Sequence, residues 1–328
     1  MNVVSFFCGC GGLDLGFEKS GYSVLWANDI DTTIEKTYRF NHPKTELVIG
    51  DITKISPEEV PDCDGFIGGP PCQAWSEGGR NRGLNDPRGR VFIEYLRLIT
   101  AKRPKFFVIE NVEGILSDLH RSSFDMFINT LHDAGYNVSY ALLNAKDFKI
   151  PQDRKRVIVV GLRLDLGEVC ILPNPTTTND ITLRQAIGDI DEEPIYYLEG
   201  QPVIQEYRKW LNHDCYIGAF DGRYMARNRV RAWDEVSYTI QAQAKNEPIH
   251  PQAPKMQFVS ANRRIFAKGY ESLYRRLSVR ECARIQTFPD SFRFVYSDIL
   301  DGYRMVGNAV PPRLAKEIAE WLARIISI

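Results

Sequence analysis

Val3-Val4-Ser5-Phe6-Phe7-Cys8-Gly9-Cys10-Gly11-Gly12-Leu13-Asp14-Leu15-Gly16 is an apolar run of strand length, then a glycine-rich turn, then a helical stretch. That order opens an α/β sheet. The glycines let the chain turn tightly and let a ligand approach the backbone and the amides of the following helix. A dinucleotide fingerprint needs a third glycine at position 14, which Asp14 occupies, so hydride chemistry with NAD is disfavoured. Further strand-like runs cover residues 22–27, 46–49, 65–67 and 106–109, and helical periodicity without internal proline covers 91–101 and 124–134. The pattern predicts an open, mostly parallel sheet, in which ligands bind at the carboxyl ends of the strands. The polar signals fall there: Asp29 after the second run, Asp51 after the third, the turn Gly68-Gly69-Pro70-Pro71-Cys72-Gln73 after the fourth and Glu110 after the fifth. Asp29 is placed to accept from ribose hydroxyls and Asp51 from an adenine amino group, an arrangement that fits an adenosine ligand; capping of the next helix is the competing role for each acid.

The composition bounds the rest. A chain of 328 residues with 44% hydrophobic and 25% charged residues has the makings of one large or two ordinary domains. Seven cysteines are an odd number without framework spacing, and Cys8-Gly9-Cys10 is too tight for a usual zinc pair, so a reduced cytoplasmic chain is the simplest reading. The five histidines show no metal spacing, and no metal is expected. Neither a basic leader before residue 3 nor an apolar run approaching the ~20 residues of a membrane span is present, so neither secretion nor membrane insertion is indicated.

The overall charge of −1 hides an asymmetry. Residues 1–70 carry 5 Lys and Arg against 11 Asp and Glu, whereas residues 201–290 carry 15 against 9. The later segment could hold something anionic, although a solvated basic face would give the same count. Arg223, Arg227, Arg229 and Arg231 crowd a stretch that includes Tyr224 and Trp233, a combination suited to phosphates and bases.

Cys72, rigidly presented between prolines and glycines, stands with Glu110-Asn111-Val112 and Gln152-Asp153-Arg154-Lys155-Arg156 as thiol, acid and cationic clamp. These blocks resemble the DNA cytosine-5 methyltransferases. Residues 7–16 are similar to the cofactor loop, Pro71-Cys72-Gln73 to the nucleophile motif, and residues 110–112 and 152–156 to the acid and two-arginine motifs. Arg280-Glu281-Cys282-Ala283-Arg284-Ile285-Gln286-Thr287-Phe288-Pro289 and Gly307-Asn308-Ala309-Val310-Pro311 resemble the last two blocks, in family order. Asp86-Pro87-Arg88-Gly89-Arg90-Val91-Phe92 resembles a further one, and residues 74–90 are expected to form a mobile loop that closes behind the base.

The resemblance implies a Rossmann-like, doubly wound mixed sheet with a smaller target-recognition domain. It divides the chain into a catalytic and cofactor-binding part, 1–171 and 273–328, and a target-recognition part, 172–272. It implies S-adenosyl-L-methionine as methyl donor, bound by Phe7, Gly9, Gly11, Gly12, Asp29, Ile30, Asp51, Ile52, Pro71, Val91, Asn308 and Val310. Cys72 would add to carbon 6 of a flipped cytosine, Glu110 would share a proton at ring nitrogen 3, Asn111 would orient Glu110, and Arg154 and Arg156 would hold the base carbonyl and flanking phosphate. Residues 227–231, 250–254 and 273–277 resemble the restriction-modification subgroup that reads GGCC, with Arg223, Arg227, Arg229, Arg231, Gln243 and Arg275 as candidate contacts to double-stranded DNA. A bacterial, cytoplasmic, nucleoid-associated monomer is expected. An RNA (tRNA) cytosine-5 methyltransferase on the same scaffold and a non-catalytic DNA-binding relic are the alternatives.

Overall fold

The computed structural model describes residues 1–71, 87–166, 172, 180–204 and 209–326, with side chains of the 87–102 helix from residue 91. Cys72 and residues 74–86 of the expected closing loop lie outside them.

The chain divides into two compact units, the first comprising Met1–Asn144, Lys155–Pro175 and Pro312–Ile328, the second Ala145–Arg154 and Thr176–Pro311. Residues 273–311 group with the second unit by their contacts.

The first unit is built on a seven-stranded sheet: β1 (Asn2–Phe6), β2 (Ser23–Asp29), β3 (Glu46–Ile49), β4 (Gly65–Gly68), β5 (Phe106–Val112), β6 (Tyr136–Asn144) and β7 (Lys155–Arg163). Their order is β3-β2-β1-β4-β5-β7-β6. β1 to β5 are parallel, and β7 runs antiparallel to both β5 and β6. The helices of this unit are α1 (Gly12–Lys19), α2 (Glu35–Asn41), α3 (Pro87–Lys102), α4 (Arg121–Asp133) and α8 (Pro312–Ile326). Strand alternation sends Val4 and Phe6 into one core with Phe66, Phe107 and Ile109 from neighbouring strands, Tyr95, Leu98 and Ile99 from α3, and Phe124, Phe127 and Leu131 from α4. Ser5 points the other way, to α1. There Gly16 is the contact that lets α8 approach: a Cβ at this position would lie 2.3 Å from the Cβ of Ala315. Helices on both faces make the sheet doubly wound.

The second unit has little regular structure: α5 (Leu183–Ile187), α6 (Val279–Ile285), α7 (Ile299–Asn308), the short pair β8 (Ile195–Tyr197) and β9 (Asp214–Tyr216), and a hairpin of β10 (Gln257–Ser260) and β11 (Arg263–Ile265). One of its cores gathers Tyr224, Val230, Ile249, Ala253, Met256, Ala267 and Tyr274 from irregular chain. Among the described residues no helix is long and apolar enough to cross a membrane, and no group of His, Cys, Asp and Glu is placed to hold a metal ion.

Candidate active site

Glu110 and Arg156 meet because of the β5–β7 register. Val112 lies opposite Arg156 across the antiparallel ladder, and Glu110, two residues earlier, shares its face of the strand, so it is the diagonal neighbour within reach of a long side chain. Arg156 Nε lies 2.7 Å from Glu110 Oε1, with both side chains close to nine-tenths buried. The carboxylate also borders Gly69, three residues before Cys72 in the sequence: a Cβ there would come within 3.2 Å of Glu110 Oε2. Asn111 is buried and donates through Nδ2 to the Pro70 carbonyl at 3.0 Å, while its Oδ1 accepts from the Val112 amide at 2.9 Å. It thereby ties the Pro70-Pro71 segment to the end of β5, leaving Pro71 exposed.

At the end of β1 the chain adopts left-handed backbone at Phe7 (φ 54°), Gly9 (φ 53°) and Gly11 (φ 89°) before α1 begins at Gly12. Glycine at 11 is demanded twice, by its φ and by the imidazole of His42, whose Nε2 would be 2.1 Å from an added Cβ. Asp29, the last residue of β2, accepts from the Gly9 amide at 2.8 Å and the Asp31 amide at 2.9 Å, which braces the turn against the second strand. Burial raises its carboxyl above the ordinary range, against the pull of these amides. Ile30 beside it is 68% exposed. Asp51 accepts from the Thr53 amide at 3.0 Å, capping the short turn Ile52–Lys54, and Ile52 is buried in the core. Phe7 and Val91 are half-buried against that same core. Asn308 ends α7 with its side chain exposed, and Val310 is buried, both within the second unit.

Arg154 does not present its guanidinium to a ligand. It is 1% exposed, and it donates from Nη1 to the Ile240 carbonyl at 3.0 Å and from Nη2 to those of Gly307 and Ala309 at 2.8 and 3.2 Å. Gln152 and Gln286 continue the network: Gln152 Nε2 donates to Gln286 Oε1 at 2.8 Å, and Gln286 Nε2 donates to the Val306 carbonyl at 2.9 Å. Blocks far apart in sequence, 152–154, 280–289 and 307–311, are thus sewn together by buried amides and one guanidinium.

Cys8, Cys10, Cys63, Cys215 and Cys282 are thiols outside any disulfide. Burial pushes all of them up, Cys10, Cys63 and Cys215 to about 12 and Cys8 and Cys282 well above the ordinary range. None is poised as a thiolate at neutral pH.

The family model for C-5 cytosine-specific DNA methylases matches residues 1–324. The chain belongs to that family. Among its relatives, the Type II methyltransferase M.MthTI of Methanothermobacter thermautotrophicus is 50% identical over 98% of this chain and 96% of its own, and M.NgoPII of Neisseria gonorrhoeae is 46% identical over 97% and 94%. A putative DNA modification methyltransferase encoded within an E. coli prophage has the same fold, with a TM-score of 0.76 at 22% identity and full coverage of both chains. DNMT2 of Spodoptera frugiperda shares it at TM-score 0.70 and 17% identity, covering 100% of this chain and 99% of that one. The chain is thus a DNA (cytosine-5) methyltransferase, and its family and fold imply S-adenosylmethionine as the donor.

The candidate DNA contacts of this methyltransferase divide sharply. Arg223, Arg227 and Gln243 are exposed. Arg229 is half-buried, lying 4.6 Å over the Tyr224 ring and donating to the Tyr224 carbonyl at 3.1 Å; Arg231 lies 4.1 Å over Tyr238 and pairs with Glu235. Arg275 is withdrawn as a DNA contact. It makes a buried bidentate pair with Glu281, at 2.7 and 2.8 Å, so the planar fork that would read a base is already filled.

Sequence reasoning gave no role to the polar cluster behind the glycine turn. Asp14 is fully buried on α1, accepting from Ser5 Oγ at 2.6 Å and from the Tyr38 hydroxyl, and His42 Nδ1 lies 3.0 Å from Glu18 Oε2. The one visible sign was the acid at the place where a dinucleotide site has glycine.

Proposed function

We propose that the enzyme methylates carbon 5 of a cytosine flipped out of duplex DNA, by covalent addition of Cys72 to carbon 6, within GGCC, as the modification half of a restriction-modification system. The observation that carries this reading is the Glu110–Arg156 pair, held beside Gly69, three residues before Cys72 in the sequence. Addition of the Cys72 thiolate forms a sulfur–carbon 6 bond and moves an electron pair onto ring nitrogen 3 and carbon 5. Glu110 shares a proton with that nitrogen in this reading, and its ion pair with Arg156, which orients the carboxylate, supports the role. S-adenosylmethionine, when bound, supplies an electrophilic methyl group. Loss of the carbon 5 proton and departure of the Cys72 thiolate then restore the aromatic ring. The glycine turn fits the cofactor's nucleoside: Asp29 retains acceptor capacity for ribose hydroxyls, and Ile30 offers an apolar face. Arg154 acts as a positioning residue through the carbonyls it binds.

Five of the other six thiols are held protonated by burial, which supports Cys72 as the nucleophile. The named relatives, at 46% and 50% identity over nearly their full lengths, are Type II methyltransferases, which favours the restriction-modification role over an RNA substrate or a relic. We assign cofactor binding to residues 1–171 with 273–328 and target recognition to 172–272, in a monomer acting on the bacterial chromosome in the cytoplasm. The test is Cys72→Ala: methyl transfer disappears while cofactor affinity stays within a few fold, and intact enzyme forms a denaturant-stable adduct with duplex carrying 5-fluorocytosine. Turnover by the variant, or no adduct, overturns covalent catalysis.

A further inference from the structure

The hairpin of β10 and β11 is exposed along almost its whole length. Phe258 is 67% exposed, Val259 48% and Ile265 40%, on a ribbon whose two strands, among the described residues, pair only with each other. A structural hairpin buries one face; this one buries neither. Its base, by contrast, is fixed. Just before β10 the Met256 amide donates to Asn228 Oδ1 at 3.0 Å, and just after β11 the Ala267 amide donates to the Tyr274 hydroxyl at 3.0 Å. Phe266 stacks on Tyr274 with ring centroids 4.2 Å apart, and Met256 and Ala267 are buried in the core of the second unit. The arrangement is a rigid stem carrying a solvent-exposed ribbon.

The charge of the ribbon names its partner. Residues 255–270 carry Lys255, Arg263, Arg264 and Lys268 and no acid. Phe258 and Arg264 are directly opposed in the ladder, so the guanidinium lies 4.4 Å over the exposed ring. Its Nη1 bonds the carbonyls of Ser260 and Arg263 within the hairpin, at 3.0 and 3.3 Å. A guanidinium held over an aromatic ring has lost much of its rotamer freedom before binding. Lys255 pairs with Glu235 at 3.6 Å; an exposed apolar ring with Arg263, Arg264 and Lys268 near it in the chain and no acid within 255–270 suits a polyanion with flat, partly apolar edges. A two-stranded ribbon also matches the width of the B-DNA major groove, about 12 Å.

We propose that the β10–β11 hairpin enters the major groove of the target duplex and that Arg264, positioned by Phe258, reads a guanine of the recognition site. The proposal rests on the duplex-DNA reading above and adds a specificity-determining residue outside the 223–231 arginines. The experiment first maps the preferred site of wild-type enzyme on a mixed duplex library. Each guanine of that site is then replaced in turn by 7-deazaguanine, which lacks the N7 acceptor. At one position the replacement lowers kcat/KM of wild type by about tenfold. In Arg264→Ala the same replacement changes kcat/KM by less than twofold, because the contact is already gone, and selectivity at that base pair relaxes. Phe258→Ala weakens the same discrimination, and cofactor affinity and melting temperature of both variants stay those of wild type.

The proposal is overturned if every 7-deaza penalty is the same in wild type and Arg264→Ala. It is equally overturned if Arg264→Ala weakens all duplexes alike and Arg264→Lys restores them, the behaviour of a phosphate contact. Wild-type enzyme that methylates no duplex cytosine sinks the parent reading and this one together; an active wild type with an indifferent hairpin sinks this one alone.

Discussion

Replacing Arg154 with methionine keeps most of the apolar stem of the side chain and removes every donor. Three buried carbonyls lose a partner. That of Ala309 also receives Gln286 Nε2 at 3.3 Å, so the carbonyls of Ile240 and Gly307 bear most of the loss. A buried acceptor left without its donor costs about 1–3 kcal/mol, which puts the change near 4 kcal/mol, within the range for breaking a buried charged network. At the ~2–4 °C per kcal/mol of a unit this size, the second unit should melt roughly 10 °C earlier. The assay is calorimetry of Arg154→Met alongside its kcat and KM measured well below the transition. If the guanidinium is structural, the loss in melting temperature is large and the residual kcat tracks the folded fraction. A variant that melts within 2 °C of wild type but transfers methyl groups a thousandfold more slowly would show Arg154 acting on substrate and refute the argument.

Glu110→Gln keeps the shape of the side chain and one acceptor for Arg156 but loses the shared proton, so transfer should slow by ~100-fold or more with DNA affinity retained; near-normal turnover removes Glu110 from the mechanism. Asp29→Ala should raise the KM for S-adenosylmethionine and leave that for DNA unchanged, and the opposite pattern would mean the nucleoside binds elsewhere. His250 supplies a pH dependence. Burial lowers its imidazole to about 4, and its Nδ1 accepts from the Gln252 amide, so protonation would set a donor against a donor. Because the folded value lies below the ordinary ~6.5, its contribution is complete above pH 6.5 and is lost as pH falls toward 4, by about 3 kcal/mol. Burial alone would raise its neighbour Glu281, but Arg275 and His250 outweigh it and hold the carboxyl well below the glutamate range, so its own loss comes at lower pH. Denaturant melts at pH 7 and 4.5 should therefore diverge in wild type and converge in His250→Asn; equal slopes in both would discard the assignment.

Strands β1 to β5 were legible because each is a compact apolar run closed by a polar residue at its carboxyl end. β6 was not, since Tyr140 and Leu142 lie exposed on an edge strand and blur its alternation. The second unit resists reading for a different reason: Tyr224, Val230, Ile249, Met256 and Tyr274 converge from irregular chain and follow no period. At the site, residue types were readable and partnerships were not. Arg154 and Arg156 look alike in sequence, and only the antiparallel register, which sends Arg156 to Glu110, separates the clamp from the strut. Arg275 sits in a basic doublet that reads as a surface, yet six residues on a helix places Glu281 to swallow it.

The buried thiols give the molecule an internal clock. Cys8 and Cys10 belong to the first unit and Cys215 and Cys282 to the second. Alkylation needs both access and a thiolate, and burial withholds both until the surrounding structure opens. Pulse labelling followed by peptide mapping would therefore time the opening of each unit separately, in one unmodified protein and without an added probe. Whether DNA or S-adenosylmethionine slows one set of thiols or both becomes a direct reading of which unit each ligand steadies.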